Sequence, residues 1–254
     1  MAKKGRQARL RRGGRQGDFL LVVGGPHAVS AAVEGAGRLR RVMVEEGASR
    51  RIRTLAARAR ELGVPVSEAA RGECDRLAGS RSQGVAAEID YAYASFDAVV
   101  EDPNPGRLLV FLDAISDPHN LGAIIRTAEA AASSAVVLPA RRSVGVTAAV
   151  VRASAGAALW LPVCRVGNLA RALDKARQAG YWVLGLDQDG PGELRRPAHD
   201  RVALVVGSEG EGLGRLVSER CDELVHIPMA GRTASLNASV AAALAIYRLR
   251  EGFF

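Results

Sequence analysis

Three short stretches of polar and small residues stand where an apolar strand pattern gives way to a helix pattern. The first contains Asn120, Gly122 and Arg126. A helix N-terminus presents free N–H groups and a positive dipole end, and a guanidinium binds phosphate through two parallel hydrogen bonds. The spacing therefore indicates an anion site such as one for phosphate. The alternative is that Asn120 caps the helix and Arg126 is an ordinary exposed residue.

The second stretch is a glycine-rich loop, 207–212, which follows an apolar strand and reads Gly-Ser-Glu-Gly-Glu-Gly. Glycines allow the backbone to approach a ligand closely. A dinucleotide fingerprint needs glycine at the third position, which Glu209 occupies here, and a carboxylate would repel a pyrophosphate. It would instead favour a cationic sulfonium or an arginine. The loop therefore argues against a nicotinamide-dependent enzyme, and Glu211 is predicted to face solvent.

The third stretch ends a strand at 227–229 and enters the last helix through Ser235, Leu236 and Asn237. In an open α/β sheet, ligands bind at the carboxyl ends of the strands. The three stretches are therefore expected to meet at one edge of a sheet.

The elements that must position them alternate from Leu108 onward, which predicts an α/β domain with a mostly parallel sheet. Strands are predicted at 108–115, 135–138, 162–165, 182–186, 202–207 and 223–227. Helices are predicted at 121–131, 144–156, 169–178 and 235–250.

Residues 18–92 predict a smaller mixed α/β unit, joined by a linker at 93–106 to the domain at 107–254. Ser49 is expected to cap a helix that Gly63 ends, and strands are expected at 41–45, 64–66 and 83–89. Arginines crowd this unit, which suits either a nucleic-acid contact or an ordinary solvated helix face.

The net charge of +8 is concentrated at the N-terminus. Residues 1–17 hold seven of the 35 basic residues and no acidic residue, which leaves 28 basic against 27 acidic residues in the rest of the chain. Such a segment is predicted to be a disordered basic arm that either contacts RNA phosphates or serves as a solubilising tail.

Other classes of protein are disfavoured by the composition. Cys74, Cys164 and Cys221 lie far apart without a paired spacing, which argues against a disulfide scaffold or a zinc ribbon. The histidines are scattered, so no metal is expected. No apolar run has the length of a membrane span, and no secretory signal is evident. The cytoplasm is the expected compartment.

Together the three stretches resemble the three motifs of the SpoU (TrmH) family of RNA ribose 2′-O-methyltransferases, within the SPOUT superfamily. The match covers roughly 107–250, and the chain is most similar to the RlmB-type branch, which modifies large-subunit ribosomal RNA. The resemblance implies a C-terminal domain with a trefoil knot, an N-terminal substrate-binding domain, S-adenosylmethionine as cofactor, and a homodimer. The dimer would use an apolar face of the last helix, formed by Val240, Ala243, Leu244 and Tyr247.

The resemblance also implies roles for individual residues. The catalytic residues would be Asn120, Arg126, Glu209, Ser235 and Asn237. The cofactor would contact Gly207, Ile227, Met229 and Leu236. Arg126 would act at the ribose, and Glu209 could orient it.

Alternatives concern the target more than the reaction. Ser82 stands where the RlmB-type branch usually has histidine, which makes the RNA target less certain than the chemistry. The same reaction on transfer RNA, a resistance methyltransferase for ribosomal RNA, and a noncatalytic ribosome assembly factor remain open. Intact motif residues disfavour the last of these.

Overall fold

The computed structural model describes residues 19–35, 39–102, 108–195, 197–233 and 235–250. The predicted basic arm lies outside these ranges. The described residues form two sheets, a small one before residue 92 and a large one after residue 107, as the alternation of apolar patterns predicts.

The small sheet has the strand order β1-β4-β2-β3, in which β4 is antiparallel to both neighbours and β2 is parallel to β3. Its strands are β1 (Phe19–Gly24), β2 (Leu39–Glu45), β3 (Val66–Ala69) and β4 (Val85–Tyr91). Its helices are α1 (Pro26–Gly35), α2 (Arg50–Glu61) and α3 (Glu73–Ala78), and α4 (Phe96–Val100) follows the sheet.

Local residues explain where these elements begin and end. The Ser49 side chain accepts a hydrogen bond from the Ile52 N–H, which confirms the predicted cap of α2. The strand expected at 83–89 begins two residues later than predicted. Gln83 and Gly84 both have a left-handed φ, +56° and +83°, so extended backbone begins only at Val85.

The large sheet is entirely parallel and has the order β7-β6-β5-β10-β8-β11-β9, which confirms the predicted sheet type. Its strands are β5 (Leu108–Leu112), β6 (Ala135–Pro139), β7 (Val163–Val166), β8 (Trp182–Leu186), β9 (Gly192–Glu193), β10 (Val202–Val206) and β11 (Glu223–His226). Its helices are α5 (Pro118–Ala130), α6 (Ala148–Ala153), α7 (Leu169–Gln178), α8 (Arg215–Ser218) and α9 (Ala238–Arg250).

Several predicted boundaries differ from the structure: the strand predicted at 64–66 is Val66–Ala69, for example, and the helix predicted at 121–131 is Pro118–Ala130. Three further differences have identifiable reasons. Strand β5 stops at Leu112 rather than at residue 115, because Ala114 has a left-handed φ of +58°. Helix α6 begins only at Ala148, because the Ser143 hydroxyl and the Val144 N–H both donate to the Ile115 carbonyl, each at 2.9 Å, and hold the preceding loop out of helix. The last helix begins at Ala238 rather than at residue 235.

The two units share one hydrophobic core. The Trp160 indole N–H donates to the Ala31 carbonyl at 3.0 Å, across the junction between them. At Gly156 a Cβ would lie 2.2 Å from the Ala31 Cβ, so only glycine permits this approach. Buried residues of β1, β4, β5 and β6 belong to the same apolar cluster. The small unit is thus packed directly against the larger domain.

Strand β11 lies between β8 and β9, although the chain passes from β8 directly to β9. The connecting residues therefore cross the carboxyl end of β11. The crossing is close: a Cβ at Gly190 would lie 2.8 Å from the Val225 backbone, and His226 Nδ1 lies 2.8 Å from the Gly190 carbonyl. This crossing brings the loops after β8 and β11 together at the carboxyl edge.

Candidate active site

A cavity of about 520 Å³ opens at the carboxyl ends of β8, β10 and β11. Three loops line it: the segment 187–189 after β8, the segment 207–212 after β10, and the segment that leads from β11 into α9. The apolar run of β8 ends at Asp187 and that of β10 ends at Gly207, while β11 ends at His226, two residues before Pro228. The second and third predicted stretches therefore form this cavity. Asn120 of the first stretch contacts them through Glu209.

The glycine-rich loop is closed on itself. The Ser208 N–H donates to the Gly212 carbonyl, and the Gly212 N–H donates to the Ser208 carbonyl, both at 3.1 Å. This tight turn brings Gly207 against Gly212, where a Cβ at Gly207 would lie 2.2 Å from the Gly212 carbonyl. At Gly207 the wall of the cavity is therefore backbone without a side chain.

All four residues predicted to contact a cofactor line the cavity, namely Gly207, Ile227, Met229 and Leu236. Catalytic candidates Glu209, Ser235 and Asn237 line it as well. Asn120 and Arg126 are not among the lining residues.

The charged side chains that line the cavity are all acidic. Four carboxylates line it, and none of its described lining residues is Lys or Arg. The carboxylates belong to Asp187, Asp189, Glu209 and Glu211. Apolar walls with acidic groups suit a cationic ligand that also has apolar parts. Sequence reasoning missed Asp187 and Asp189, although acidic residues directly after a buried strand were a usable signal.

One carboxylate joins all three stretches. Glu209 Oε1 accepts hydrogen bonds from Asn120 Nδ2 at 2.9 Å and from the Ala238 N–H at 3.2 Å. It also accepts one from Asn237 Nδ2, which is at the same time 3.1 Å from Asn120 Oδ1. We call Asn120, Glu209 and Asn237 the polar triad. It fixes the N-terminal ends of α5 and α9 against the glycine-rich loop.

The Asn237 side chain also bonds to the first turn of α9, which explains why this helix begins later than predicted. Its Oδ1 accepts hydrogen bonds from the Ser239 N–H at 3.0 Å and from the Ser239 hydroxyl at 2.6 Å. It therefore caps α9, and Ser239 lies in the first turn of that helix. Both ends of the Asn237 amide are occupied, so its orientation is fixed.

The structure excludes one alternative and one expectation about the first stretch. Asn120 does not cap α5: Pro118 begins the helix, and the Asp117 carboxylate caps it by accepting from the His119 and Asn120 N–H groups. Glu209 does not orient Arg126, because its described hydrogen bonds go to the polar triad and the Ala238 backbone.

Arg126 lies on α5, six residues beyond Asn120. At 100° per residue the two side chains leave the helix in different directions. Arg126 is exposed, and within the described ranges its guanidinium has no hydrogen bond or ion pair. It is therefore available to an external anion.

Gly122, on the buried face, sets the position of α5, since a Cβ there would lie 2.4 Å from the Ala153 Cβ of α6.

We expect Glu209→Ala to lower the rate of reaction at this site by at least about 10-fold, because it leaves three N–H donors without their acceptor. Glu209→Gln is the matched control, since its amide oxygen can still accept some of these bonds, and it should lose less. Single-turnover rates measured beside thermal melting would separate mispositioning from unfolding. An alanine variant as fast as the parent protein would exclude a positioning role for the polar triad.

Burial makes the three cysteines poor nucleophiles. It raises the pKa of the Cys74 thiol to about 11 and those of Cys164 and Cys221 to about 12. In the described ranges no group of three or more His, Cys, Asp or Glu side chains could hold a metal ion. No described helix is both long enough and apolar enough to cross a membrane.

Comparison with known proteins agrees with this geometry. The model of the SpoU rRNA Methylase family matches residues 107–247, more than half of the chain. The chain belongs to the SpoU methylase family. A second family model, described as RNA 2′-O ribose methyltransferase substrate binding, matches residues 22–94. Family membership confirms the predicted enzyme class, an RNA methyltransferase, and the predicted pair of a small mixed unit and a parallel-sheet domain.

Relatives of this SpoU-family chain share nearly its whole length. A protein of Staphylococcus haemolyticus, named as a TrmH family tRNA/rRNA methyltransferase, is 41% identical over 235 residues, which cover 90% of this chain and 94% of the relative. A similarly named protein of Bacillus subtilis is 38% identical over 241 residues, covering 92% and 96%.

Solved structures show the same architecture. The rRNA methyltransferase of Sinorhizobium meliloti, determined with bound AdoMet, has a TM-score of 0.79 at 25% identity and covers 92% of this chain and 88% of its own. The SpoU methyltransferase AviRb of Streptomyces viridochromogenes has a TM-score of 0.77 at 27% identity, covering 91% and 88%.

Proposed function

We propose that this SpoU methylase transfers a methyl group from S-adenosylmethionine to a ribose 2′-hydroxyl of RNA, at a guanosine of large-subunit ribosomal RNA. The observation that carries the proposal is the polar triad, which joins all three family motifs at the mouth of an acidic, partly apolar cavity. A radiolabelled methyl group appearing in RNA, at a nucleotide resistant to alkaline cleavage, would be the expected result. Labelling of a base would contradict it.

S-adenosylmethionine is the cofactor of this enzyme class, and it supplies a methyl group activated by a sulfonium cation. The residues at the cavity fit it. Carboxylates complement its positive charge, the apolar side chains of Ile227 and Leu236 can pack against its adenine, and the backbone at Gly207 is open to close approach. The neighbouring Met229 is 40% exposed and lies at the cavity's border.

Residues of the chain would then act on the RNA rather than on the cofactor. The polar triad and Ser235 would position the ribose, and Arg126 would bind the adjacent phosphate and stabilise negative charge that develops on the 2′-oxygen. An arginine guanidinium stays protonated in proteins, so we assign Arg126 an electrostatic role and not that of a base.

The relatives and the small unit both bear on the target RNA. The relatives named above are called tRNA/rRNA methyltransferases, while two solved structures are of enzymes described as acting on rRNA or as SpoU methyltransferases. Ribosomal RNA is favoured by the extra substrate-binding unit of the RlmB-type branch. Mapping 2′-O-methyl sites in RNA from cells with and without the gene would identify the nucleotide. A site that disappears from transfer RNA would redirect the proposal.

The knot implied by the family resemblance is also part of the proposal. The connection from β8 to β9 crosses β11, and the chain beyond β11 turns back into the cavity as residues 235–237. Such a crossing suits a chain that passes through a loop formed earlier.

The cytoplasm remains the expected compartment.

A homodimer is supported by the exposed side of α9. Its buried side contains Ala242, Ile246 and Leu249, and so belongs to the core. The opposite side presents three large apolar side chains, each about half exposed. They are Val240 at 47%, Leu244 at 48% and Tyr247 at 47%. Core packing therefore does not account for this face, whereas contact with a second copy would cover it.

We expect Leu244→Asp to convert the protein from dimer to monomer, because a carboxylate at the centre of an apolar interface loses its hydration. Leu62→Asp is the matched control, since Leu62 is equally exposed, 49%, but lies in the small unit. Sedimentation velocity measures both. A parent protein that sediments as an active monomer would reject the dimer.

A further inference from the structure

The carboxyl edge of the large sheet is divided by charge. The side formed by β10, β8 and β11 carries the acidic cavity. The side formed by β6 and β7 carries Arg141 and Arg142, which follow β6, and Arg165, which lies in β7. Two carboxylates lie between these sides, but both accept backbone hydrogen bonds: Asp113 from the Gly214 N–H, and Asp117 at the start of α5. The division separates a region for cations from a region for anions.

Arg142 is held in an unfavourable backbone conformation. Its φ is +60°, the left-handed region that glycine adopts most easily. Such strain persists only where the surroundings impose it, and it occurs often at functional sites. Here the surroundings are specific: Ser143 and Val144 are tied to the Ile115 carbonyl, and the Val146 N–H donates to the Tyr93 hydroxyl at 2.9 Å.

Arg141 and Arg142 are alike in their exposure and contacts. Both are exposed, and in the described part of the chain neither guanidinium has a hydrogen bond or ion pair. Arg165 differs, because its guanidinium donates to the Ala140 carbonyl at 2.8 Å and so braces the start of the loop. A strained loop that presents two adjacent free guanidinium groups is built for an external anion rather than for the fold.

We propose that Arg141 and Arg142 bind the phosphodiester backbone of the substrate RNA beside the target nucleotide. The proposal rests on the proposed function, since it assumes an RNA substrate at the polar triad. We call the loop after β6 that contains Arg141 and Arg142 the arginine loop. Strands β6, β5 and β10 are neighbours in the sheet, so the arginine loop lies roughly 10 Å, two inter-strand spacings, from the glycine-rich loop. Acidic residues repel RNA from the cofactor side, and the arginine side is where its phosphates can lie.

Tyr93 connects this loop to the small unit. Its hydroxyl accepts from Val146, and its ring packs against Tyr91 of β4 and Phe19 of β1, at centroid distances of 5.5 Å and 6.1 Å. The ring also lies 5.6 Å below the Arg165 guanidinium. The position of Arg142 is thus set by both units. RNA held by the substrate-binding unit would therefore contact the arginine loop at a fixed distance from the polar triad.

Arg142→Gly tests the proposal, because glycine removes the charge and also relieves the strain. Binding of a transcript of large-subunit ribosomal RNA should weaken about 10-fold. The log–log dependence of affinity on salt should become shallower by about 0.7 to 0.9 for each phosphate that the variant no longer neutralises. The melting temperature should not fall. Arg142→Lys keeps the charge and should keep most of the salt dependence. In transfer assays KM for RNA should rise while kcat at saturating RNA is retained.

Two controls separate strain from charge. Ala132→Gly relieves a left-handed φ of +53° at the amino edge of the sheet and should leave RNA binding unchanged. Arg177→Ala removes a guanidinium that pairs with Asp222 at the same amino edge and should leave the salt dependence unchanged. An Arg142→Gly variant that binds RNA within two-fold of the parent, with the same salt dependence, overturns the proposal. Absence of methyl transfer by the parent protein would overturn the proposed function instead, because the salt dependence is measured without transfer.

Discussion

Arg126→Ala is expected to lower methyl transfer by about 100-fold or more while S-adenosylmethionine binds with nearly unchanged affinity. The magnitude is typical of removing one well-placed electrostatic stabiliser from an active site. Cofactor binding should survive because Arg126 is exposed on α5 and is absent from the lining of the cavity. Calorimetry with the cofactor and single-turnover transfer to RNA measure the two quantities separately.

Arg126→Lys is the conservative control. A lysine ammonium is a point charge, and it cannot reproduce the two parallel hydrogen bonds of a guanidinium, so rescue should be poor. Transfer by the alanine variant at nearly the parent rate would remove Arg126 from the catalytic residues. If cofactor affinity fell together with transfer, Arg126 would have a structural role instead.

The sequence predicts best those elements whose limits are set locally. Helix α7 and strand β8 have the predicted bounds, because Asn168 caps the helix and an unbroken apolar run forms the strand. Ser49 and Gly63 likewise mark the ends of α2. Each of these limits depends on residues within a few positions of it. Sequence patterns therefore contain the information directly.

Features that depend on distant residues were missed or misplaced. The segment predicted as helix from 144 is a loop because Ile115, 28 residues before Ser143, accepts its hydrogen bonds. The hydrogen bonds of the Asn120 amide with Glu209 and Asn237 could not be predicted, because they depend on β5, β10 and β11 ending at the same edge of the sheet. The order of those strands is not encoded in any local pattern.

The packing of the two units against each other was likewise not predictable from local sequence patterns. Proline and glycine at 101–106 predicted a linker, and nothing in that segment indicates that the units share a core. The shared core depends on Gly156, whose missing Cβ admits Ala31, and on the indole of Trp160. Seven of the nine predicted site residues line the cavity, because the three motifs that contain them end at one edge of the sheet. The acidic residues after β8 were missed because they lie outside the three motifs.

Gly207→Ala is expected to abolish measurable cofactor binding, with an affinity loss of about 100-fold or more, since a steric conflict with backbone cannot be relieved by a side-chain rotation. The added Cβ would lie 2.2 Å from both the carbonyl carbon and oxygen of Gly212, whereas atoms that touch require about 3.5 Å or more. The loop must therefore open, which breaks the paired bonds between Ser208 and Gly212 and displaces Glu209 from the polar triad. Methyl transfer should fall with cofactor affinity.

The matched control for Gly207→Ala is Gly231→Ala, which adds the same methyl group in the third stretch, where nothing lies within 4 Å of the new Cβ. It should bind cofactor and transfer methyl groups like the parent. Circular dichroism and thermal melting would establish that the Gly207 variant is folded when it fails to bind. Together with Arg126→Ala, this pair separates the two halves of the site: one variant keeps the cofactor and loses the reaction, and the other loses the cofactor. A folded Gly207→Ala variant with parental cofactor affinity would mean that the cavity between β8, β10 and β11 is not the cofactor site.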